Sequence, residues 1–206
     1  MTKNSHKSPW QKLPLQHAEV YYCPIFLSQE QSLELCNQLT ASVFWHQESL
    51  TLYGKTHLVP RLVAWYGDPE AVYRYSGVTH EPLPWLSVLQ SLREDLEEAT
   101  GCGFNSVLLN RYRDGSDSMG WHSDNEPELG SNPVIASISL GAERPFKFRR
   151  VSDHKQSFSQ VLGNGSLLLM GKGSQEHWQH SVAKTKKPVG ERINLTFRYI
   201  QPETSI

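Results

Sequence analysis

Arg192-Ile193-Asn194-Leu195-Thr196-Phe197-Arg198-Tyr199 alternates without a break between polar and apolar side chains. That is the period of an extended strand, in which neighbouring side chains leave on opposite faces. Ile193, Leu195, Phe197 and Tyr199 share one face; Arg192, Asn194, Thr196 and Arg198 share the other. Standing alone, such a run is an edge strand with one wet face. If both faces are enclosed, the polar one must meet anionic partners, because an unpaired buried charge is very costly. Arg192 and Arg198 lie about 20 Å apart on extended chain, so both must lean inward to serve one small ligand. Guanidinium forks match carboxylates, and the pair points to a small dicarboxylate.

Working outward, residues 104–112, 134–140, 145–149, 166–170 and 192–200 are strand candidates separated by Gly, Pro, Asn and Asp. Two helices precede them. Ser28 with Gln31 has capping-box spacing, and Leu33, Cys36 and Leu39 follow at helical intervals, giving a helix over about 29–40. Leu86, Leu89, Leu92 and Leu96 give a second from near Pro84 to Ala99, with Pro in its first turn and Thr100-Gly101 as the stop. Residues 43–80, rich in Tyr, Trp and Val and broken by Gly54, Pro60, Gly67-Asp68-Pro69 and Gly77, read as short strands and hairpins. Residues 1–20 read as a flexible N-terminal arm and 21–206 as a single domain. The fold class is α+β, with the strands closing into a sandwich or barrel.

A chain of 206 residues with 38% hydrophobic and 10% aromatic content can bury a core of its own. No apolar run is long enough to span a bilayer and no signal-peptide pattern opens the chain, so no membrane partner is expected. Cys23, Cys36 and Cys102 are scattered and odd in number, as in reduced thiols of an intracellular protein, cytoplasmic in a bacterium or nuclear in a eukaryote. The net charge of −1 conceals an asymmetry. Residues 1–140 hold 9 Lys/Arg against 16 Asp/Glu, and residues 141–198 hold 11 against 4. A localised basic surface for a polyanion is one reading; the other is that the two regions intermix and cancel.

His122-Ser123-Asp124 places two ligand types on the same face of an extended segment. Alone it is an ordinary solvated turn. A third ligand has three candidates: His154 lies in a polar loop, while His177 and His180, three apart, face opposite ways on a strand. His180 enters the Ser-Val run before the last strands and is chosen; the segment 176–180 lacks the His-Glu-x-x-His pattern of a zinc protease. Two imidazoles and one carboxylate occupy one face of a six-coordinate metal and leave the other open, the ligand set of non-haem Fe(II) oxygenases. With the arginine pair, this indicates an iron enzyme consuming 2-oxoglutarate.

Asn110-Arg111-Tyr112, His122-x-Asp124, His180 and Arg192-x5-Arg198 resemble the AlkB family of Fe(II)/2-oxoglutarate dioxygenases. Leu52-Tyr53-Gly54-Lys55, Val59-Pro60-Arg61, Tyr66-Gly67-Asp68 and Tyr73-x-Tyr75-Ser76-Gly77 extend the resemblance to the duplex-DNA (AlkB homologue 2 type) subfamily, over roughly residues 50–200. The resemblance implies a double-stranded β-helix (jelly-roll) core over about 104–200, with N-terminal helices and a nucleotide-recognition hairpin lid over about 43–80. It implies that His122, Asp124 and His180 bind Fe(II) and form the catalytic centre. Arg192 and Tyr112 would hold the distal carboxylate of 2-oxoglutarate, Arg198 and Asn110 its chelating end, and Asn194 would line the pocket. Tyr53, beside Gly54, would fill the gap left by a flipped base, and Tyr75 would stack on that base opposite the His122 ring. Tyr73 and Glu126 would lie near its polar edge, Arg61 among the substrate contacts, and Lys184, Lys186 and Lys187 on phosphate. Two departures bear on substrate: Tyr53 stands where the family often has Phe, and Asn125 where duplex-DNA enzymes tend to carry an acid. The implied reaction is oxidative dealkylation of bases such as 1-methyladenine and 3-methylcytosine in DNA, releasing succinate, CO2 and formaldehyde. The partner expected is alkylated duplex DNA, acted on by a monomer. The same chemistry on RNA or single-stranded DNA, or a non-catalytic binder of damaged nucleic acid, are the alternatives.

Overall fold

The strand bearing the two arginines is enclosed on both faces. The computed structural model describes residues 9–52, 55–75 and 78–201, without the side chains of 50–52, 55, 73–75 and 78–80. In chain order the strands are β1 (Gln11–Lys12), β2 (Val20–Cys23), β3 (Ser49–Leu52), β4 (Lys55–Leu58), β5 (Leu62–Gly67), β6 (Tyr73–Tyr75), β7 (Val78–His80) and β8 (Ser106–Tyr112). They continue with β9 (Met119–His122), β10 (Ile135–Gly141), β11 (Arg144–Arg150), β12 (Ser157–Leu162), β13 (Ser166–Met170), β14 (Trp178–Val182) and β15 (Arg192–Arg198). The helices are α1 (Gln29–Ser42), α2 (Ser87–Thr100) and the one-turn α3 (Ser174–His177).

Two antiparallel sheets form the core, a seven-stranded one in the order β1-β2-β13-β10-β15-β8-β5 and a four-stranded one in the order β12-β11-β14-β9. β15 lies inside the larger sheet between β10 and β8, with Asn194 paired to both Ser139 and Asn110. All seven of its residues are buried, which overturns the edge-strand alternative. One face of the large sheet packs on the helices: Ile193, Leu195 and Phe197 join Leu39, Leu89, Leu92 and Leu96 in one cluster. The other face meets the small sheet, with Tyr112, Ile135 and Leu168 against Phe146, Phe148 and Trp178. Each fully buried Leu or Phe contributes about 1.5–3 kcal/mol, so this three-layer arrangement fixes which face of β15 looks inward. The polar face therefore points between the sheets. Tyr199 falls beyond the strand and is half exposed, so it leaves the apolar row expected of it.

Local signals account for most boundaries. The Ser28 hydroxyl accepts from Gln31 N at 3.2 Å while the Gln31 side chain accepts from Ser28 N at 2.9 Å, the capping box that opens α1. α2 starts at Ser87 without a side-chain cap, so Pro84 lies before the helix and not in its first turn; Gly101, in the left-handed region at φ 69°, closes it. The expected hairpins in 43–80 are present as β3–β4 and β6–β7.

The flexible arm over 1–20 requires correction for residues 9–20. β1 pairs with β2, Leu13, Leu15, Ala18 and Val20 are buried, and the Trp178 indole donates to Gln16 O at 3.0 Å. This stretch closes one edge of the core because its apolar side chains have nowhere better to go.

Candidate active site

β9 and β14 of the small sheet bring His122 and His180 opposite each other as paired residues, and Asp124 follows two residues after His122. Ligand atoms of the three lie within 4.8 Å of one another, and no other group of three or more such residues does so among those described. Asp124 Oδ1 is 3.6 Å from His122 Nε2 and its Oδ2 is 3.9 Å from His180 Nε2. The imidazole rings sit 4.2 Å apart at 67°. His122 Nδ1 lies 2.9 Å from Gly120 O. That carbonyl can only accept, so Nδ1 carries the proton and Nε2 keeps its lone pair for a metal. His180 stacks on Phe146 at 5.1 Å and is buried, whereas His122 remains partly open to solvent. His177 ends α3 and packs edge-on against His17, and His154 is exposed in its loop, so neither joins the cluster.

Charge fixes the protonation states. Burial alone would raise the Asp124 carboxyl, but Arg198, His180 and His122 outweigh it and hold it down at about 2. Arg198 Nη2 lies 3.0 Å from Asp124 Oδ1, so the second arginine of the strand orients the carboxylate. Burial, followed by the charge of His122, pushes His180 down to about 3, which leaves it neutral and ready to ligate.

A small cavity opens on these groups, lined among others by Leu108, Asn110, Tyr112, Met119, Phe146, Asn194 and Arg198. Arg61, placed in the lid by sequence, donates from Nε to Asn110 Oδ1 at 2.7 Å and so acts through Asn110. Asn194 donates to Ser137 Oγ and Ile138 O, and accepts from Thr196, which makes it a fixed wall. Arg192 faces Tyr112 across the β8–β15 pair, its guanidinium 5.1 Å over the Tyr112 ring. Nη2 donates to Ser139 Oγ at 2.9 Å, while Nε and Nη1 are buried with no hydrogen-bond partner. Burial lowers its pKa, opposed by the Tyr112 hydroxyl. A buried cation with two unused donors fits an incoming carboxylate.

Glu126 is half-buried at the start of the turn after Asp124, and Lys186 and Lys187 are exposed in the loop before β15. Tyr53 and Gly54 lie outside the described residues, as do the side chains of Tyr73 and Tyr75. Sequence reading missed three site residues. Gln175 accepts from Asp124 N at 2.9 Å, Ser139 holds Arg192, and Arg144 is fully buried, with its Nη groups donating to Asp114 O, Asp117 O and Ala183 O. The basic segment 141–198 therefore spends Arg144, Arg192 and Arg198 inside the fold, and only its remaining cations can contribute to a surface.

The family model described as the 2OG-Fe(II) oxygenase superfamily matches residues 19–198. The chain belongs to that superfamily. Within it the chain is an AlkB-family oxygenase, 41% identical over 199 residues to the Bos taurus protein "Alpha-ketoglutarate-dependent dioxygenase alkB homolog 3", covering 92% of this chain and 69% of that one. It is 38% identical over 201 residues to the Homo sapiens "DNA oxidative demethylase ALKBH2", covering 93% and 77%. The solved structure titled "The structure of OsALKBH1" superposes with a TM-score of 0.66 at 18% identity, over 93% of this chain and all of that one, which supports the jelly-roll fold. As a member of the superfamily the protein uses Fe(II) and 2-oxoglutarate. The cluster of two imidazoles and a carboxylate fits the first. The unused donors of Arg192 fit the second.

Proposed function

We propose that this oxygenase removes N-linked alkyl groups from bases in DNA. The observation that carries the reading is the convergence in one cavity wall of His122, Asp124, His180, Arg198 and Tyr112, with the Arg192 guanidinium over the Tyr112 ring. Relatives whose names include DNA oxidative demethylase support the substrate class. His122, Asp124 and His180 would hold the iron from one side. Arg192 and Tyr112 would bind the distal carboxylate of 2-oxoglutarate, and Arg198 and Asn110 would border its chelating end. The iron held there would supply, with 2-oxoglutarate and O2, the oxidising chemistry that takes an N-methyl group off as formaldehyde, with succinate and CO2 as the co-products.

The chain's own part is geometry. Arg198 fixes the Asp124 carboxylate, Gln175 fixes its backbone, and Leu108, Met119 and Phe146 give the cavity an apolar lining. A base must leave its stack to reach His122, the exposed ligand. Glu126, Tyr73 and Tyr75 would receive it, Lys186 and Lys187 would grip phosphate, and Tyr53 would serve a duplex by filling the gap. A monomer working inside the cell is the setting proposed; Cys23, Cys36 and Cys102 are free thiols, and no helix among the described residues is long and apolar enough to cross a membrane. The test compares turnover of one methylated sequence as duplex DNA, single-stranded DNA and RNA. DNA is expected to be processed faster than RNA; faster turnover of RNA overturns the DNA reading.

A further inference from the structure

Trp121 is the residue before a metal ligand, yet it plays no part in the metal cluster. On an extended strand successive side chains leave opposite faces, so His122 points between the sheets while Trp121 emerges on the outer face of the small sheet, 38% exposed. There it borders an open groove lined also by Lys147, Arg149, His154, Ser157 and Ser159. The Arg149 guanidinium lies 4.5 Å over the indole and is pinned by Nε donating to Gln179 Oε1 at 2.9 Å. Lys147 and Arg149 share the outward face of β11, directly across from Ser159 and Ser157 of β12. None of the described residues lining the groove is acidic.

An aromatic plate with one side stiffened by a guanidinium, next to two cations and two hydroxyls, matches a base and its phosphate. A base inside a duplex already has both faces stacked, so only an unpaired one can lie on Trp121. We propose that this groove binds an unpaired nucleotide of the substrate strand next to the lesion, the strand crossing the β9 edge from His122 to Trp121. The inference rests on the nucleic-acid reading above and adds a preference for unpaired flanks, which a fully paired duplex does not offer.

The test measures binding of a short fluorescein-labelled DNA strand carrying one 1-methyladenine, alone and annealed to its complement, by fluorescence anisotropy. Trp121→Ala is expected to weaken the single strand about tenfold or more, as stacking losses do, with the duplex changed by less than about twofold; Trp121→Phe restores most of the loss. Ser159→Glu, an exposed change that leaves the fold alone, is expected to weaken the single strand similarly by placing a carboxylate in the groove. The thermal shift caused by 2-oxoglutarate stays as in the wild type in each variant. Wild-type affinity for the single strand in Trp121→Ala and Ser159→Glu overturns the site, as do equal losses on both strand forms. A wild-type protein that binds neither strand form overturns the nucleic-acid reading as well, which separates the two failures.

Discussion

Replacing Arg192 by Met separates a ligand-binding arginine from a structural one. Arg192 is buried, donates from Nη2 to Ser139 Oγ, interacts with the Tyr112 hydroxyl, and leaves Nε and Nη1 buried without partners. Arg144 adds a second positive charge nearby, which the Tyr112 hydroxyl opposes. If a carboxylate of 2-oxoglutarate takes the two unused donors, each charge-assisted bond contributes about 1.5–3 kcal/mol. Losing both weakens co-substrate binding by roughly 3–6 kcal/mol, or on the order of 10²–10⁴-fold in Kd. Without the ligand the sign reverses. Exchanging an incompletely paired buried charge for an apolar side chain of similar volume is often neutral or stabilising, by about 1–4 kcal/mol. The assay is thermal unfolding of the metal-loaded protein, using Mn(II) in place of iron, with and without 2-oxoglutarate. Arg192→Met is expected to have an unchanged or raised Tm alone and to lose the co-substrate shift. A Tm several degrees lower without ligand, or an undiminished shift, refutes the reasoning.

Three further outcomes follow from the same geometry. His180 titrates near 3 in the fold and near 6.5 unfolded, so below about pH 6.5 the unfolded chain binds one more proton and stability falls as pH drops, by at most about 1.4 kcal/mol per pH unit. Asp124, lowered to about 2, adds its own loss only below about pH 4. Denaturant melts of the metal-free protein between about pH 7 and pH 5 should therefore slope more steeply in the wild type than in His180→Asn, and equal slopes contradict the assignment. Gln175→Leu removes the acceptor from Asp124 N and should weaken Co(II) or Fe(II) binding about 10–100-fold; unchanged affinity in a titration shows that Gln175 does not position the ligand. Tyr53→Ala should slow turnover of methylated duplex more than of single strand, and equal losses argue against a gap-filling finger.

The strongest sequence signals came from side chains that violate local expectation. Two arginines on a face of a strictly alternating strand require an enclosed anionic partner, and β15 sits where that requirement holds. His122 and Asp124 share a face by spacing alone. His154 is set aside as a loop residue and His177 as facing the other way on a strand, whereas His177 in fact ends the one-turn α3 before β14 begins, so His180 is reached with the wrong reason for rejecting His177. β9, β12 and β14 were missed because they are short and mix polar with aromatic residues, so pairing with neighbours and not periodicity makes them strands. Arg144 was missed because an arginine at a strand start is usually solvated; only the approach of Asp114, Asp117 and Ala183 carbonyls reveals its burial. Gln175 lies 51 residues from the backbone group it holds, a contact no local pattern encodes. Residues 9–20 carried a faint signal in Leu13, Leu15, Ala18 and Val20, obscured by Pro14 and His17.

The central claim is that His122, Asp124 and His180 support an oxidation that consumes 2-oxoglutarate and repairs a methylated base. Mass spectrometry of a DNA strand with one 1-methyladenine, run alongside succinate quantification, tests it most directly. The account predicts unmethylated adenine and succinate in equal amounts, dependent on both Fe(II) and 2-oxoglutarate, and neither product from Asp124→Ala. Repair that persists in Asp124→Ala, or succinate formation that never accompanies demethylation of this or any other alkylated base, would contradict it.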